Sequence, residues 1–399
     1  MPADDSRRLA GLRLVACARV RCVVRELEQR MAAMRAIRPG MPVEELETPV
    51  LTVELDAMER NLARMMETLN GSSMRLRPHL KTAKSPAIAH LMIGAGAVGI
   101  CCAKLSEVEV MADAGIQDIL LTSEVAGPGT FDRLVAIAAR LPDFKAVVDN
   151  AWAVDQIASA ARVRRVVVKL LIEIDVLTGR SGVVDSTAAL ALADLIRATD
   201  GVELVGLHGY AGHAQVQPEA VRRERNDPAM ALLADVVETL REHGHEIPVL
   251  TGGGTGTASM DAQRGLLTEL QAGSFLLMDV AYRNAGAPFE NALFCRSTII
   301  SRPTPERAVC DAGQKTLTAD SGPAEVIGRP GVRYLRGSDE HGSLVVEPVA
   351  LEDDLAVGDV IQLIPSHVCT TINLHDVLVG VRDGRVEVVW PVATRGHVW

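Results

Sequence analysis

The stretch Met74-Arg75-Leu76-Arg77-Pro78-His79-Leu80-Lys81-Thr82-Ala83-Lys84 is where the reading of this chain starts. Met74 to Leu80 is strand-like, and Lys81 stands directly at its carboxyl end, where active-site groups sit in a parallel barrel. The chain holds six lysines against thirty-five arginines, and two of the six fall within four residues here. Arginine stays protonated, whereas a desolvated lysine amine can lose its proton and attack a carbonyl. Taken alone, the stretch reads equally well as two surface lysines at a strand end.

Working outward, short β-branched runs alternate with helical stretches from about Thr48. The candidate strands are Val50–Leu55, Met74–Leu80, Val98–Cys102, Asp118–Thr122, Phe144–Val148, Val166–Ile174, Glu203–Gly209, Ile247–Thr251 and Glu269–Leu276. Between them lie helical patterns such as Ala57–Leu69, Ser106–Ala114, Thr130–Arg140 and Ser186–Ala198. Strands alternating with helices imply parallel pairing and right-handed crossovers. The expected fold class is α/β, with a (β/α)8 TIM-type barrel favoured over a doubly wound open sheet by the near-equal spacing. The first candidate strand is one too many for that barrel and is free to belong elsewhere.

After Ala285 the helical period fades and strand-like runs with turn residues take over: Thr298–Ser301, Ala308–Asp311, Val332–Tyr334, Ser343–Val346, Asp359–Leu363, Val377–Val381 and Val386–Val389. Gly358-Asp359 and Asp383-Gly384 mark tight turns. This predicts a mostly antiparallel C-terminal β domain. The expected division is an N-terminal extension at 1–45, a lead-in strand and helix at 46–70, the barrel at 71–285 and the β domain at 286–399.

With 399 residues and 48% hydrophobic content, the chain can bury a large core. A net charge of -10 argues against a nucleic-acid surface, and no basic block suggests an anionic membrane. Seven scattered cysteines are not a disulfide framework and point to a reducing compartment, the cytoplasm. No apolar run is long enough to span a bilayer. In the first forty residues Arg13, Arg19, Arg21 and Arg25 interrupt the apolar positions, which excludes a secretory signal and suits an amphipathic helical extension.

The segments after the barrel strands hold the candidate chemistry. Gly179-Arg180 follows the fifth, Tyr210 and His213 the sixth, and Thr251-Gly252-Gly253-Gly254-Thr255-Gly256 the seventh, while Gln271-Ala272-Gly273-Ser274 lies in the eighth. The glycine run before a helix start offers amides to an anion, and phosphate commonly binds at loops seven and eight of such barrels. A glycine run by itself is also an ordinary loop. Set against a lysine on the same rim, it points to pyridoxal 5'-phosphate, with the amine for the aldehyde and the amides for the phosphate. A second constellation is His367-Val368-Cys369. On an extended strand these residues face one way and can share a metal, zinc first, with manganese or magnesium as alternatives. Alone, His-x-Cys is more often packing. Asn373, His375 and Asp376 raise the polar density nearby, Glu340-His341 is a further candidate pair, and His243 and His245 read as solvent-exposed.

At these residues the chain resembles the D-threonine aldolase and D-serine dehydratase family, fold-type III pyridoxal phosphate enzymes related to alanine racemase. The matching segments are Thr48-Pro49, Arg77-Pro-His-Leu-Lys81-Thr, Gly179-Arg180-Ser-Gly-Val, Thr251-Gly-Gly-Gly-Thr-Gly, Asp339-Glu-His-Gly342, Asn373-Leu-His-Asp376 and Trp390-Pro-Val-Ala-Thr-Arg-Gly396. The resemblance implies that Lys81, rather than Lys84, carries the cofactor as a Schiff base. Arg180, Tyr210, Gly253, Gly254, Thr255, Gly273 and Ser274 would hold the cofactor, with Gln271 near the pyridine nitrogen, and His367 and Cys369 the metal. It also assigns Val50–Leu55 to the β domain, and implies a homodimer acting on a small amino acid.

Two positions depart from the family pattern. Aldolases usually carry His-x-Asp at the metal position and dehydratases His-x-Cys, so Cys369 is the dehydratase choice in aldolase-like surroundings; Ala83 stands where a second histidine is common. The expected reaction is cleavage of D-threonine or a related D-β-hydroxy amino acid to glycine and an aldehyde. The alternative is dehydration of D-serine or 3-hydroxyaspartate to a 2-oxo acid and ammonia. Racemisation ranks third, and a non-catalytic cofactor carrier is disfavoured by the added β domain with its metal-type ligands.

Overall fold

The computed structural model describes residues 37–348 and 355–399. The N-terminal extension read at 1–45 therefore lies, through residue 36, outside the described residues. Eight strands form one parallel sheet: Arg75–Leu76 (β2), Ile100–Cys102 (β3), Ile119–Leu121 (β4), Lys145–Val148 (β5), Val168–Glu173 (β6), Val202–Gly209 (β7), Val249–Gly252 (β8) and Glu269–Leu270 (β9). The order runs β2-β9-β8-β7-β6-β5-β4-β3. Val98 donates to the Leu76 carbonyl (2.9 Å), Cys101 to Pro78 (2.9 Å) and Leu80 to Cys101 (2.8 Å), which returns β3 to the first strand and closes the barrel.

Two of its strands are shorter than their apolar runs. Met74–Leu80 contributes only Arg75–Leu76 to the regular ladder because Pro78 has no N–H to donate. Glu269–Leu276 ends as a strand at Leu270 and tightens into a 3-10 turn at Ser274–Leu276. Gly273 sits where a Cβ would lie 2.7 Å from the His79 carbonyl, so the two segments touch backbone to backbone.

The lead-in strand Val50–Glu54 (β1) stands outside the barrel. It pairs antiparallel with Leu293–Thr304 (β10) and parallel with Val377–Arg382 (β16), inside a nine-stranded sheet. The other members are Arg307–Cys310 (β11), Glu325–Ile327 (β12), Val332–Gly337 (β13), Gly342–Val346 (β14), Val360–Ile364 (β15) and Arg385–Pro391 (β17), all paired antiparallel. β12, three residues long, has no apolar run to announce it. β10 is far longer than Thr298–Ser301 because it pairs with β15 over Cys295–Thr298 and, from Ile299 on, with β11 in a ladder broken by register shifts. The helix Leu55–Leu69 buries Met58, Leu62, Met65 and Leu69 on one face, and its Asn61 amide donates to the Leu276 and Glu290 carbonyls (3.2 and 2.8 Å), fastening the lead-in to the end of the barrel. Two of the crossover helices begin at side-chain caps, Asn150 on Ala153 (2.9 Å) and Asp185 on Ala188 (2.8 Å). No helix among the described residues is long and apolar enough to cross a membrane.

Cys101, Leu120, Val147, Leu171 and Val205 form an apolar cluster of their own, with Val249 packed against it. Arg77, only 1% exposed, closes the end near the amino termini of the strands. Its guanidinium donates to both oxygens of Glu269 (2.6 and 2.8 Å) and of Asp118 (2.7 and 3.1 Å), and Lys145 adds a bond to Asp118 (2.8 Å). Burial opposes the charge on Arg77, but these bonds outweigh it. Removing one member of such a network leaves charges desolvated and unpaired. Arg77→Leu should therefore lower the unfolding free energy by about 3–5 kcal/mol, measured by urea denaturation. A loss below about 1 kcal/mol would place the network among exposed pairs instead.

Candidate active site

Lys81 enters the rim directly from the barrel's closing segment and borders two adjoining cavities. The larger, about 230 Å³, is walled by Lys81, Tyr210, Thr255, Ser274, His367 and Cys369 among others. The smaller, about 50 Å³, is walled by Lys81, Arg180, His208, Tyr210 and Gln271 among others. The Lys81 amine lies 5.4 Å from the centre of the Tyr210 ring and the Arg180 guanidinium 5.7 Å from it. Lys84 is fully occupied elsewhere: its amine is buried against Glu107 (2.5 Å) and the Thr394 carbonyl (3.2 Å). The two lysines of the opening motif thus have separate tasks, one lining a cavity and one locked in an ion pair.

Gly254, Thr255, Gly273 and Ser274 line the larger cavity. The Thr255 hydroxyl accepts the Phe275 amide (3.0 Å), tying the loop after β8 to the loop after β9. The amides of Thr255, Gly273 and Ser274 find no acceptor among the described residues, so the wall presents unsatisfied N–H groups, a fit for an anionic phosphate. Gly253 departs from expectation. It sits behind the wall with φ +61, a left-handed turn residue whose Cβ would meet the Asp261 carboxylate at 2.6 Å, and it shapes the loop without lining the cavity.

His367 and Cys369 both reach the larger cavity, by a different geometry from the strand expected. His367 is the extended residue before the short helix Val368–Ile372, and Cys369 lies in its first turn. Asp279, fully buried, starts that turn: one carboxylate oxygen accepts the Val368 amide (3.0 Å), and the other accepts the Tyr282 amide (2.9 Å) at the neighbouring helix Val280–Asn284. Its burial pushes the Asp279 carboxyl up. Behind His367, Nδ1 is held by Asp320 (2.5 Å), so Nε2 remains for the cavity side. A hydrogen bond to Cys369 is the main reason that His367 is pushed up to about 9. For Cys369, burial works to raise the thiol, but His367 and the Lys81 charge bring it below its ordinary value. Thr82 also touches Cys369 (3.1 Å). Imidazole and a thiol of this kind suit a zinc-type ion, with further positions left to water or substrate; among the described residues no third His, Cys, Asp or Glu completes a ligand cluster.

The remaining sequence candidates fall away from the cavities. Glu340 pairs with Lys315 on the surface, with His341 exposed beside it. His375 is tied to the Thr316 carbonyl (2.9 Å), and Asn373 accepts the Gly396 amide (3.1 Å). His243 is exposed as expected, whereas His245 is buried against Asp194 (2.9 Å), because the turn folds it under the helix end. Sequence reasoning missed Glu173, His208, Asp279 and Asp320. His208 stands on β7 two residues before Tyr210, which was a usable signal; the three carboxylates had none.

His79 has both ring nitrogens engaged. The Lys81 amide approaches Nδ1 (3.4 Å) and Nε2 bonds Thr122 (3.0 Å), whose hydroxyl donates to Cys102 (3.1 Å). Burial, then the charge of Lys81, holds His79 well below its ordinary value of 6.5, so it is neutral. The unfolded chain takes that proton near 6.5 and the folded one does not, so this histidine's contribution to stability is present above that pH and lost as the pH falls. Its ring 15N shifts should stay constant from about pH 8 to pH 5; a titration near 6.5 would contradict the assignment.

Comparisons with known proteins identify the family. The model "Alanine racemase, N-terminal domain" matches residues 53–280, and "Putative serine dehydratase domain" matches 292–381. A D-threonine aldolase of Arthrobacter sp is 42% identical over 366 residues, covering 90% of this chain and 95% of its own. The crystal structure of D-threonine aldolase from Filomicrobium marinum superposes with a TM-score of 0.87 at 38% identity, over 91% of this chain and 99% of its own. D-threo-3-hydroxyaspartate dehydratase from Delftia sp. HT23 gives 0.82 at 30%, over 90% and 100%. By fold, motif and full-length similarity, the chain belongs to the D-threonine aldolase and D-serine dehydratase family, whose barrel is alanine racemase-like.

Proposed function

We propose that this protein is a pyridoxal phosphate- and metal-dependent lyase that cleaves D-threonine, or a related D-β-hydroxy amino acid, to glycine and an aldehyde. The observation that carries the reading is that Lys81, His367 and Cys369 face one cavity of about 230 Å³ although they come from opposite ends of the chain. In this reading the barrel, 71–285, holds the cofactor and the β domain, 286–399, supplies the metal pair. When bound, pyridoxal phosphate supplies an electron sink at Cα and the metal a Lewis acid for the β-hydroxyl.

Lys81 would hold the cofactor aldehyde, and the free amides of Thr255, Gly273 and Ser274 would hold its phosphate. Arg180 and Tyr210, on the wall of the smaller cavity, would hold its ring. His367 and Cys369 would hold the metal, zinc before manganese or magnesium, with Asp320 fixing the His367 ring so that Nε2 faces the cavity. With its amine on the wall of both cavities, Lys81 would also be the group placed to hold or move a proton beside the substrate. His79, with both nitrogens engaged, holds the Lys81 backbone in place and is not a base. The homologous Arthrobacter enzyme, named a D-threonine aldolase, supports the carbon–carbon cleavage.

One observation favours the second reading, dehydration to a 2-oxo acid and ammonia: Cys369 itself. A D-threo-3-hydroxyaspartate dehydratase has been solved as a Cys→Ala variant in a metal-free form. Products formed from D-threonine and D-serine, with and without a chelator, separate the two. Glycine and acetaldehyde lost on chelation are expected; a 2-oxo acid with ammonia would make this a dehydratase. A homodimer is part of the same reading, and light scattering should return about twice the chain mass of 42.6 kDa.

A further inference from the structure

Between the barrel core and the smaller cavity lies a polar layer that no step above uses. Glu173 ends β6, and across the parallel ladders it stands level with His208 on β7, which stands level with Thr251 on β8. Glu173 is 2% exposed and His208 1%. One Glu173 oxygen is in close contact with His208 Nδ1, and the other accepts Arg180 Nη2 at 3.2 Å. His208 Nε2 meets Gln271 Oε1 at 3.1 Å, and the Gln271 amide nitrogen donates to Thr251 (3.0 Å).

A carboxylate buried to this degree is costly unless it is well bonded, and well-packed apolar residues of similar volume would serve fold stability as well. Its two oxygens diverge instead toward two groups that line the cavity beside Lys81, namely Arg180 and Gln271. Arg180 is itself half exposed and would otherwise sample many rotamers. A side-chain amide such as Gln271 has two faces that only its neighbours distinguish.

We propose that Glu173 is a positioning residue for the cofactor site: one carboxylate oxygen aims Arg180, and the other fixes Gln271 through His208. The inference rests on the cofactor reading above. It makes the Glu173 carboxylate, which touches neither cavity directly, the common anchor of two groups on the wall.

The test uses the purified full chain titrated with pyridoxal phosphate and followed by absorbance across a pH series. In Glu173→Gln the apparent cofactor Kd should weaken on the order of 10- to 100-fold, and the pH profile of the visible band should move. Combining it with Arg180→Gln should cost less than the sum of the single effects, because both act through one contact. If Glu173→Gln does not fold, Glu173→Asp keeps the charge, draws the carboxylate back by one methylene, and should show the same weakened Kd and displaced pH profile. A folded variant with wild-type Kd and spectrum, or strict additivity with Arg180→Gln, overturns the proposal while leaving the cofactor reading intact. A wild-type protein without any cofactor-dependent spectrum overturns both.

Discussion

Everything in this molecule depends on how the barrel is closed. Only one segment, Met74 to Thr82, stands between β9 and β3, and it closes the ring with a two-residue strand and a handful of backbone bonds. A proline in its middle forfeits one donor. The segment compensates with side chains that alternate along it. Arg77 fills the amino end of the barrel with paired carboxylates, His79 bonds Thr122 across the adjoining strands, and Lys81 emerges at the opposite rim. The same few residues complete the fold and deliver the amine, so the amine inherits the rigidity of the closure.

A second junction brings the other half of the site. Asp279, at the end of the barrel sequence, caps both the helix that follows it and the helix that begins after His367. One buried carboxylate thereby sets the β domain's His367 and Cys369 against the barrel's Lys81 and Thr82. Residues 287 positions apart in sequence come within 3.1 Å at Thr82 and Cys369. Such a contact holds only while both caps hold, which ties the reactive geometry to the packing between the two sheets.

The alternation of apolar runs and helical periods made the barrel legible, because its strands are buried on both faces and leave continuous hydrophobic runs. Lys81 was legible because lysine is scarce in this chain and its place at a strand end is defined. What periodicity missed were the places where local chemistry overrides it. Pro78 shortens the first strand, and Gly273 bends the eighth run into a turn against His79. Asp279 winds the segment after His367 into a helix where alternation suggested a strand. Gly253 looked like part of an anion cradle but is spent on a left-handed turn. Glu173 was invisible for a related reason: a carboxylate ending an apolar strand reads as solvent-facing until the neighbouring strand places a histidine, here His208, level with it.

We propose that Lys81, alone among the lysines, is the amine on which the site is built. Borohydride reduction of the protein with pyridoxal phosphate, followed by peptide mapping, tests it most directly. A pyridoxyl group fixed on Lys81 and an unmodified Lys84 are expected. A label on Lys84, or spread over surface lysines with Lys81 unmodified, would contradict it.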